Sequence, residues 1–361
     1  MEMKISAPKA LPMGVDLGYS RLKMAQVQRA SDIELLAADS VEVPADCRDD
    51  ALRRRDFQCQ AIRSLLRTGG FHGRKAILSL PSEATFLRSL KVPSHLAGSL
   101  DDVIRGELQS RLPFAISEAI IRHVLVDTCY GDREGMEELI VVAAPRSMLD
   151  EHLAMAHRAG LEIVGINIDA CAVVECFARL LWRTDDHSRI KLFLDIGSKT
   201  TQVVMARGQR MAFARNLTVG GLDLDRTVSE AMDIPIERAD HIRREMASMH
   251  ADAAEDDLFR LLDARISWIT DEIMGCVRYC ESVFRVQTID SVVFAGGEAH
   301  NKRLCQCIAK RLGLPARIGD PMAGIRLSGG ARGGGGPDMM RGVHPSWAVA
   351  VGLSLGAQVA A

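Results

Sequence analysis

The same short pattern occurs twice in this chain: an apolar run that ends in aspartate and is followed by glycine and small polar residues. It stands in MGVDLGYSRLK at residues 13–23 and again in LFLDIGSKTT at residues 192–201. At the end of a buried strand, Asp-x-Gly makes a tight turn, and its glycine lets backbone N–H groups approach a ligand. One such turn is common in any protein. Two of them indicate a duplicated α/β domain in which each copy presents one turn.

The hydrophobic pattern around the two turns supports this duplication. Strand-like runs at 14–18, 22–28 and 33–43 precede a helical segment that stops at Gly69-Gly70, and the strand KAILSLP follows. The second half restarts with three strand-like runs, IKLFLDIG, TTQVVMARG and RMAFARNLTVGG. Helices over 222–286, the strand SVVFAGG and a further helix complete it. Each half therefore has an α/β order that begins with three strands.

Between the two copies, residues 86–168 read as a separate unit of strands and amphipathic helices. The helix DACAVVECFARLLW leads out of it, and Asp169 is a plausible N-cap for that helix. The glycine-rich stretch LSGGARGGGGPDMMRG at residues 327–342 predicts a mobile surface loop.

Composition excludes several classes of function. The chain has 361 residues and a net charge of −2, so it lacks the basic field of a protein that binds nucleic acid or anionic lipid. Its N-terminus lacks the apolar core of a signal peptide, and no window approaches the ~18 apolar residues of a membrane span. We therefore expect a cytoplasmic protein with reduced thiols and no direct membrane insertion. Cys276 with Cys280, and Cys305 with Cys307, lack zinc-site spacing and are interpreted as buried or bystander thiols.

The two turns suggest a chemistry. A carboxylate at a strand end can hold a hydrated Mg²⁺, which needs only one or two carboxylates. Two such hairpins placed face to face would clamp a triphosphate and its metal. A third element, DSVVFAGGEAH, runs a buried strand into Gly296-Gly297, where bare backbone would let an adenine lie flat. Taken alone, this element is equally consistent with a plain strand-to-helix turn.

The three motifs together resemble the phosphate-1, phosphate-2 and adenosine motifs of the actin/Hsp70/sugar-kinase superfamily. Within it, the chain resembles the PilM family of type IV pilus assembly and its relative FtsA. VIRGELQSRLPF looks like the family's helix and its "IPF" turn, and LGLPARIGDPMAGI with HPSWAVAVGLSL resembles the family's C-terminal end. The resemblance covers roughly residues 12–358.

This resemblance implies a fold class: actin-like (RNase H-like) duplicated α/β domains, an inserted FtsA/PilM-type 1C subdomain and a helical 2B subdomain. The implied boundaries are 12–85 and 169–189 for subdomain 1A, 86–168 for 1C, 190–225 and 287–361 for 2A, and 226–286 for 2B.

The resemblance also implies an ATP and Mg²⁺ site. Asp16 and Asp195 would hold Mg²⁺ through water, and Gly296 with Gly297 would pack on the adenine. Asp240 and Arg243 stand where the superfamily often has a Glu and a Lys near the ribose and base, and both depart from that pattern. The phosphate-binding set is Gly18, Ser20, Lys23, Gly197, Ser198, Lys199, Thr200, Thr201, Gly220 and Gly221. Lys199 either pairs with a phosphate or points to solvent.

Two further side chains near the first turn depart from the family pattern. Tyr19 fills a turn position that is usually small, where it would crowd or stack beside the phosphates. Arg21 is a weaker candidate for a phosphate contact.

By the same resemblance, ATP would set the angle between the two domains, with hydrolysis slow or absent. The catalytic residue is unknown; Glu175 is a candidate by location, and a surface glutamate explains it as well. The implied partners are the cytoplasmic N-terminal tail of a PilN-like inner-membrane protein and other pilus assembly components. That tail would lie in a groove between 1A and 1C, near strands 86–92 and 121–128, and would hold the protein peripherally at the inner membrane.

Two alternatives stay open. A small-molecule kinase of the superfamily would need a catalytic aspartate, for which Asp169 and Asp127 are available. An FtsA-like filament-forming protein would carry a C-terminal amphipathic helix, whereas this chain ends in GLSLGAQVAA without one.

Overall fold

The computed structural model describes residues 9–29, 31–93, 100–129, 135–181, 189–248, 253–284, 289–328 and 341–356. The glycine-rich stretch predicted to be mobile lies largely outside these residues, and so does the side chain of Asp127.

Fifteen strands are present in the described part of the chain. They are β1 (Lys9–Ala10), β2 (Met13–Leu17), β3 (Arg21–Arg29), β4 (Ile33–Glu42), β5 (Lys75–Leu80), β6 (Phe86–Pro93), β7 (Ala119–Cys129), β8 (Met136–Pro145), β9 (Glu162–Ile168), β10 (Ile190–Ile196), β11 (Thr201–Arg207), β12 (Arg210–Leu217), β13 (Ile289–Ala295), β14 (Ala316–Ile318) and β15 (Arg326–Leu327).

Ten α-helices accompany them in the same described ranges. They are α1 (Ala45–Arg48), α2 (Ala51–Thr68), α3 (Leu100–Leu108), α4 (Arg146–Arg158), α5 (Asp169–Ala178), α6 (Gly221–Met232), α7 (Ile236–Ser248), α8 (Ala253–Phe284), α9 (Lys302–Leu312) and α10 (Ala348–Leu355). Short 3₁₀ turns occur at Ser82–Ala84, Ile116–Glu118, Gly297–His300 and Pro345–Trp347.

The chain forms two compact units. The first comprises Met1–Ala84, Pro145–Leu180 and Gly319–Ala361, and the second comprises Thr85–Ala144 and Leu181–Ile318. Helix α4 and strand β9, which the sequence assigned to subdomain 1C, belong to the first unit, as does the segment after Ile318. The four-subdomain boundaries stay a prediction.

The first unit is built on a sheet with strand order β15-β4-β3-β2-β5-β9, and β1 also pairs with β3. Strands β2 and β3 form an antiparallel hairpin in which Asp16 stands opposite Lys23. Strands β2, β5 and β9 run parallel, so their carboxyl ends share one edge of the sheet. All five residues of β2 are buried, which matches its continuous apolar run.

The second unit repeats this arrangement in the order β12-β11-β10-β13-β14. Strands β10 and β11 form the antiparallel hairpin, with Asp195 opposite Gln202, and β13 and β14 continue in parallel. In both sheets, therefore, three meandering strands are followed by two parallel ones. This shared order confirms the predicted duplication.

The inserted segment has a three-stranded sheet of its own, in the order β6-β8-β7. Helix α3 packs Ile104 and Leu108 on this sheet. Leu112 and Phe114 of the Leu-Pro-Phe turn pack against the same cluster. The turn that the sequence singled out thus fastens the helix to its sheet.

Helix α10 is buried along its whole length inside the first unit. The hydroxyl of Ser354 donates to the carbonyl of Pro12 at 2.7 Å and accepts from the backbone N–H of Val27 at 3.1 Å. Gly14 and Gly352 leave room for close backbone contacts with Ala350 and Ala172. These small residues therefore let α10 pack closely against β2 and α5.

Candidate functional site

The turn after β2 is held by an ion pair. Asp16 is 7% exposed at the end of the strand, and its Oδ2 accepts from Nζ of Lys23 at 3.0 Å. A side chain at Gly18 would meet the carbonyl oxygen of Arg21, so the hairpin needs glycine there. The structure therefore brings Asp16, Gly18 and Lys23 together in the first unit, with the carboxylate neutralised by its neighbour.

The two bulky residues of this turn contact other side chains of the first unit. The hydroxyl of Tyr19 donates to Asp49 at 2.8 Å, and the guanidinium of Arg54 lies 5.6 Å from the centre of its ring. Burial, with a further contribution from Asp49, raises the pKa of Tyr19 to about 12. Arg21 pairs with Glu42 at 3.2 Å. Tyr19 is thus directed toward Asp49 and Arg54, and Arg21 toward Glu42.

In the second unit, the turn after β10 is packed against the start of α6. The N–H of Gly221 donates to the carbonyl of Gly197 at 3.0 Å, and the N–H of Leu222 donates to that of Ser198 at 2.7 Å. A side chain at Gly220 would collide with the same two carbonyl groups. The predicted residues Gly197, Ser198, Gly220 and Gly221 therefore form one continuous backbone surface.

Thr201 serves the interior of the sheet. It is fully buried, and its hydroxyl donates to the carbonyl of Val219 at 2.8 Å. Ser198, Lys199 and Thr200, by contrast, are partly exposed in the turn itself.

The end of β13 completes the backbone surface. Gly296 has a φ of +86°, a conformation that favours glycine, and a Cβ there would lie 2.5 Å from Oδ1 of Asp195. Around the Cβ position of Gly297 there is no atom within 4 Å, so this backbone faces open space. Asp195 and the three glycine-rich turns thus lie close together within the second unit.

A buried ion cluster lies directly beside these glycines. The Arg243 side chain is 2% exposed; its Nε donates to Asp225 at 2.7 Å, and its two Nη atoms donate to Glu298. A side chain at Gly221 would collide with the Glu298 carboxylate. The cluster therefore joins α6, α7 and the turn after β13.

The pKa values in this cluster follow from burial and charge. Burial lowers the pKa of Arg243, but Glu298 and Asp225 more than reverse this, so the guanidinium pKa lies above its usual value. Burial raises the pKa of Asp225 against the lowering effect of Arg243. Sequence patterns did not single out Asp225 or Glu298. The available signals were the position of Glu298 directly after Gly297 and that of Asp225 one helical turn after Gly221.

Asp240 and Arg243 have different ion-pair partners in the structure. Asp240 pairs with Arg244 on the exposed side of α7, whereas Arg243 points into the cluster. The two residues that the resemblance placed together near a ribose therefore have different surroundings.

The predicted capping role of Asp169 is wrong. Helix α5 begins at Asp169 itself, and the N-cap position is filled by Ile168, which makes no capping hydrogen bond with its side chain. The Asp169 carboxylate instead accepts a hydrogen bond from the buried hydroxyl of Ser79, at the carboxyl end of β5. Glu175 lies farther along α5 against Gly356, and burial raises its pKa.

The cysteines singled out in the sequence lie in packed or partly packed positions. Cys276, Cys280 and Cys305 are buried in the core of the second unit, and Cys307 packs against it. Among the described residues no group of three His, Cys, Asp or Glu side chains is placed to hold a metal ion.

The residues of the second unit suit a phosphate-bearing ligand. Gly220, Gly221 and Gly296 let the three turns pack closely on one another, because a Cβ at any of them would collide with a neighbouring carbonyl or carboxylate group, and the backbone at Gly297 faces open space. Asp195 there and Asp16 in the first unit are the strand-end carboxylates suited to a hydrated Mg²⁺.

The sequence profile of the family described as Type IV pilus assembly protein PilM matches residues 14–358. The chain belongs to the PilM family. Among solved structures, the PilM-PilN type IV pilus biogenesis complex matches it with a TM-score of 0.78 and 21% identity, over 96% of this chain and 98% of that one. The ethanolamine utilization protein EutJ from Carboxydothermus hydrogenoformans matches with a TM-score of 0.55 and 14% identity, over 98% and 91% of the two chains.

These similarities agree with the family assignment and establish the fold. It is the actin-like duplicated α/β fold of a type IV pilus assembly protein, with the inserted subdomain and the helical subdomain of the PilM family. Within the described part of the chain, no helix combines the length and the apolar character that crossing a bilayer requires.

Proposed function

We propose that this PilM-family protein binds ATP with Mg²⁺ and that the bound nucleotide controls its affinity for the cytoplasmic N-terminal tail of a PilN-like inner-membrane protein. The observation that carries the proposal is the meeting of Asp195 with the glycine turns at Gly197, Gly220–Gly221 and Gly296–Gly297. Backbone without a Cβ lets a phosphate group or a flat base approach closely.

Each residue has a role in this proposal. Asp16 and Asp195 hold Mg²⁺ through water, and Gly18, Ser20, Lys23, Gly197, Ser198, Lys199 and Thr200 surround the phosphates. The open backbone at Gly297 receives the adenine. Binding and release of ATP change the charge at the site, and this change biases the arrangement of the two hairpins. Hydrolysis is slow at most in this proposal, and Glu175 of α5, the candidate by location, packs against Gly356.

Isothermal titration of Mg-ATP tests the nucleotide site. We expect micromolar binding to the wild type and at least tenfold weaker binding to Asp195→Asn, because the carboxylate that holds the metal is lost. Asp290→Asn is the matched control: it makes the same chemical change at the start of β13, where Asp290 pairs with Arg189. Equal affinities of the wild type and Asp195→Asn would refute the site.

The proposed partner rests on the family and on two apolar surfaces. The family's solved complex includes PilN. In the first unit, Val164 and Ile166 on the outermost strand β9 are 44% and 36% exposed. In the second unit, Val124 and Leu125 on β7, an outer strand of its sheet, are 48% and 53% exposed. Exposed apolar side chains on such a strand are typical of surfaces that receive an extended peptide.

A synthetic peptide with the cytoplasmic tail sequence of the organism's own PilN-like protein tests this. Its binding, followed by fluorescence anisotropy, is expected to be lost or at least tenfold weaker in Val164→Lys and Leu125→Lys, which place a charge on an apolar contact surface. Leu261→Lys on α8 is the control, since Leu261 is 43% exposed on a different element. Mg-ATP is expected to change the peptide affinity. Unchanged binding by both strand variants would exclude these surfaces.

Through this partner the protein would be peripheral at the inner membrane.

A further inference from the structure

Glu298 occupies an unusual position for a carboxylate. It follows Gly296-Gly297 directly, at the end of β13, and its side chain packs against Gly221 at the start of α6. Both terminal nitrogens of Arg243 donate hydrogen bonds to this carboxylate, and the Nη2–Oε1 distance is 3.1 Å. The carboxylate is therefore fixed in direction beside the two glycine turns of the nucleotide site.

Of the three charged residues in this cluster, Glu298 is the most accessible. Its side chain is 13% exposed, against 8% for Asp225 and 2% for Arg243. The guanidinium uses one lone pair on each carboxylate oxygen, and each oxygen keeps a second one. Glu298 thus combines a fixed orientation with unused acceptor capacity.

The charge of the cluster decides what it can receive. Asp225 and Glu298 carry two negative charges and Arg243 one positive charge, so the cluster is net negative. A phosphate would be repelled there, whereas a hydroxyl group can donate to a carboxylate. The part of a nucleotide that carries hydroxyl groups is its ribose.

On these grounds we propose that Glu298 accepts hydrogen bonds from the ribose hydroxyls of the bound nucleotide, with Arg243 as its positioning residue. The protein therefore selects ribonucleotides over nucleotides that lack these hydroxyls. This inference rests on the proposed ATP site. It assigns the ribose to a residue after the glycine pair and not to Asp240, which pairs with Arg244 on the exposed side of α7.

The test compares the dissociation constants of Mg-ATP and Mg-2′,3′-dideoxy-ATP. For the wild type we expect dideoxy-ATP to bind about tenfold or more weakly, because a hydrogen bond to a charged acceptor is lost. Glu298→Gln keeps the shape of the side chain but removes its charge. In this variant the ratio of the dideoxy-ATP dissociation constant to the ATP dissociation constant should fall to about threefold or less. Asp240→Asn should keep the wild-type ratio.

Arg243→Lys provides a second, independent variant. Lysine keeps the positive charge but cannot hold the carboxylate with two parallel hydrogen bonds. We expect Arg243→Lys to discriminate less between the two nucleotides than the wild type does, while its affinity for dideoxy-ATP stays close to that of the wild type. Thermal melting of every variant without nucleotide establishes that each one is folded.

The outcomes separate this inference from the proposed site. Binding of ATP without discrimination by the wild type would overturn the role of Glu298 and leave the ATP site intact. Loss of discrimination in Asp240→Asn but not in Glu298→Gln would overturn it as well. If the wild type binds neither nucleotide, the proposed ATP site itself is wrong and the inference falls with it.

Discussion

The close approach of α5 and α10 at Gly352 predicts a severe effect from one added methyl group. A Cβ built on Gly352 of α10 would lie 1.8 Å from the carbonyl oxygen of Ala172 on α5. An ordinary carbon–oxygen contact is about 3.4 Å or more, so Gly352→Ala must push the two helices about 1.5 Å apart. A gap of that size removes much of the dispersion attraction along a buried helix. We expect a loss of about 3 kcal/mol or more in the free energy of unfolding, at the upper end of overpacking effects.

Gly275→Ala is the matched control for this substitution. Gly275 is also inside a helix, α8, but no atom lies within 4 Å of the Cβ position. Alanine there is expected to stabilise the protein by about 0.5–1 kcal/mol, because glycine loses more backbone entropy on folding. Urea unfolding followed by circular dichroism measures both variants. Equal stabilities of Gly352→Ala and the wild type would refute the packing argument.

Two further predictions concern buried polar groups of the second unit. Arg243→Met leaves Asp225 and Glu298 unpaired and is expected to cost about 3–5 kcal/mol at pH 8. The pKa of Asp225 is already raised by burial, so its folded form binds the proton more tightly; protonation at acid pH then stabilises the variant, and the urea-unfolding deficit should shrink by pH 5. A deficit that does not change with pH would contradict this. Thr201→Val leaves the buried carbonyl of Val219 without its donor and should cost about 1–3 kcal/mol, with unchanged ATP affinity. A weaker ATP affinity in a stable variant would instead place Thr201 at the phosphates.

Much of the fold was predictable because it depends on local periodicity. The apolar runs of β2 and β10, each ending in Asp-x-Gly, predicted the two hairpins, and both are present with the aspartates at the strand ends. The repeated order of strands and helices predicted the duplicated α/β domains. These features need only the pattern within each half of the chain.

Other features depend on contacts between distant parts of the sequence. An apolar helix such as α10 fits any hydrophobic core, so its pattern does not reveal that it packs on β2 in the first unit. Likewise, Arg243 and Asp240 both read as polar residues of an amphipathic helix. The partners of Arg243 come from α6 and from the turn after β13, and periodicity along α7 cannot identify them.

Helix α10 also sets the order in which the protein can fold during synthesis. Strand β2 is synthesised long before α10, but the residues that cover it include Ala350 and Ser354 of α10. The second unit, Thr85–Ala144 and Leu181–Ile318, has been synthesised completely before α10 is made. Because domains generally fold as units as they emerge, the second unit can reach its native state first. In the first unit, the apolar surface of β2 stays exposed until α10 has been synthesised and can pack on it.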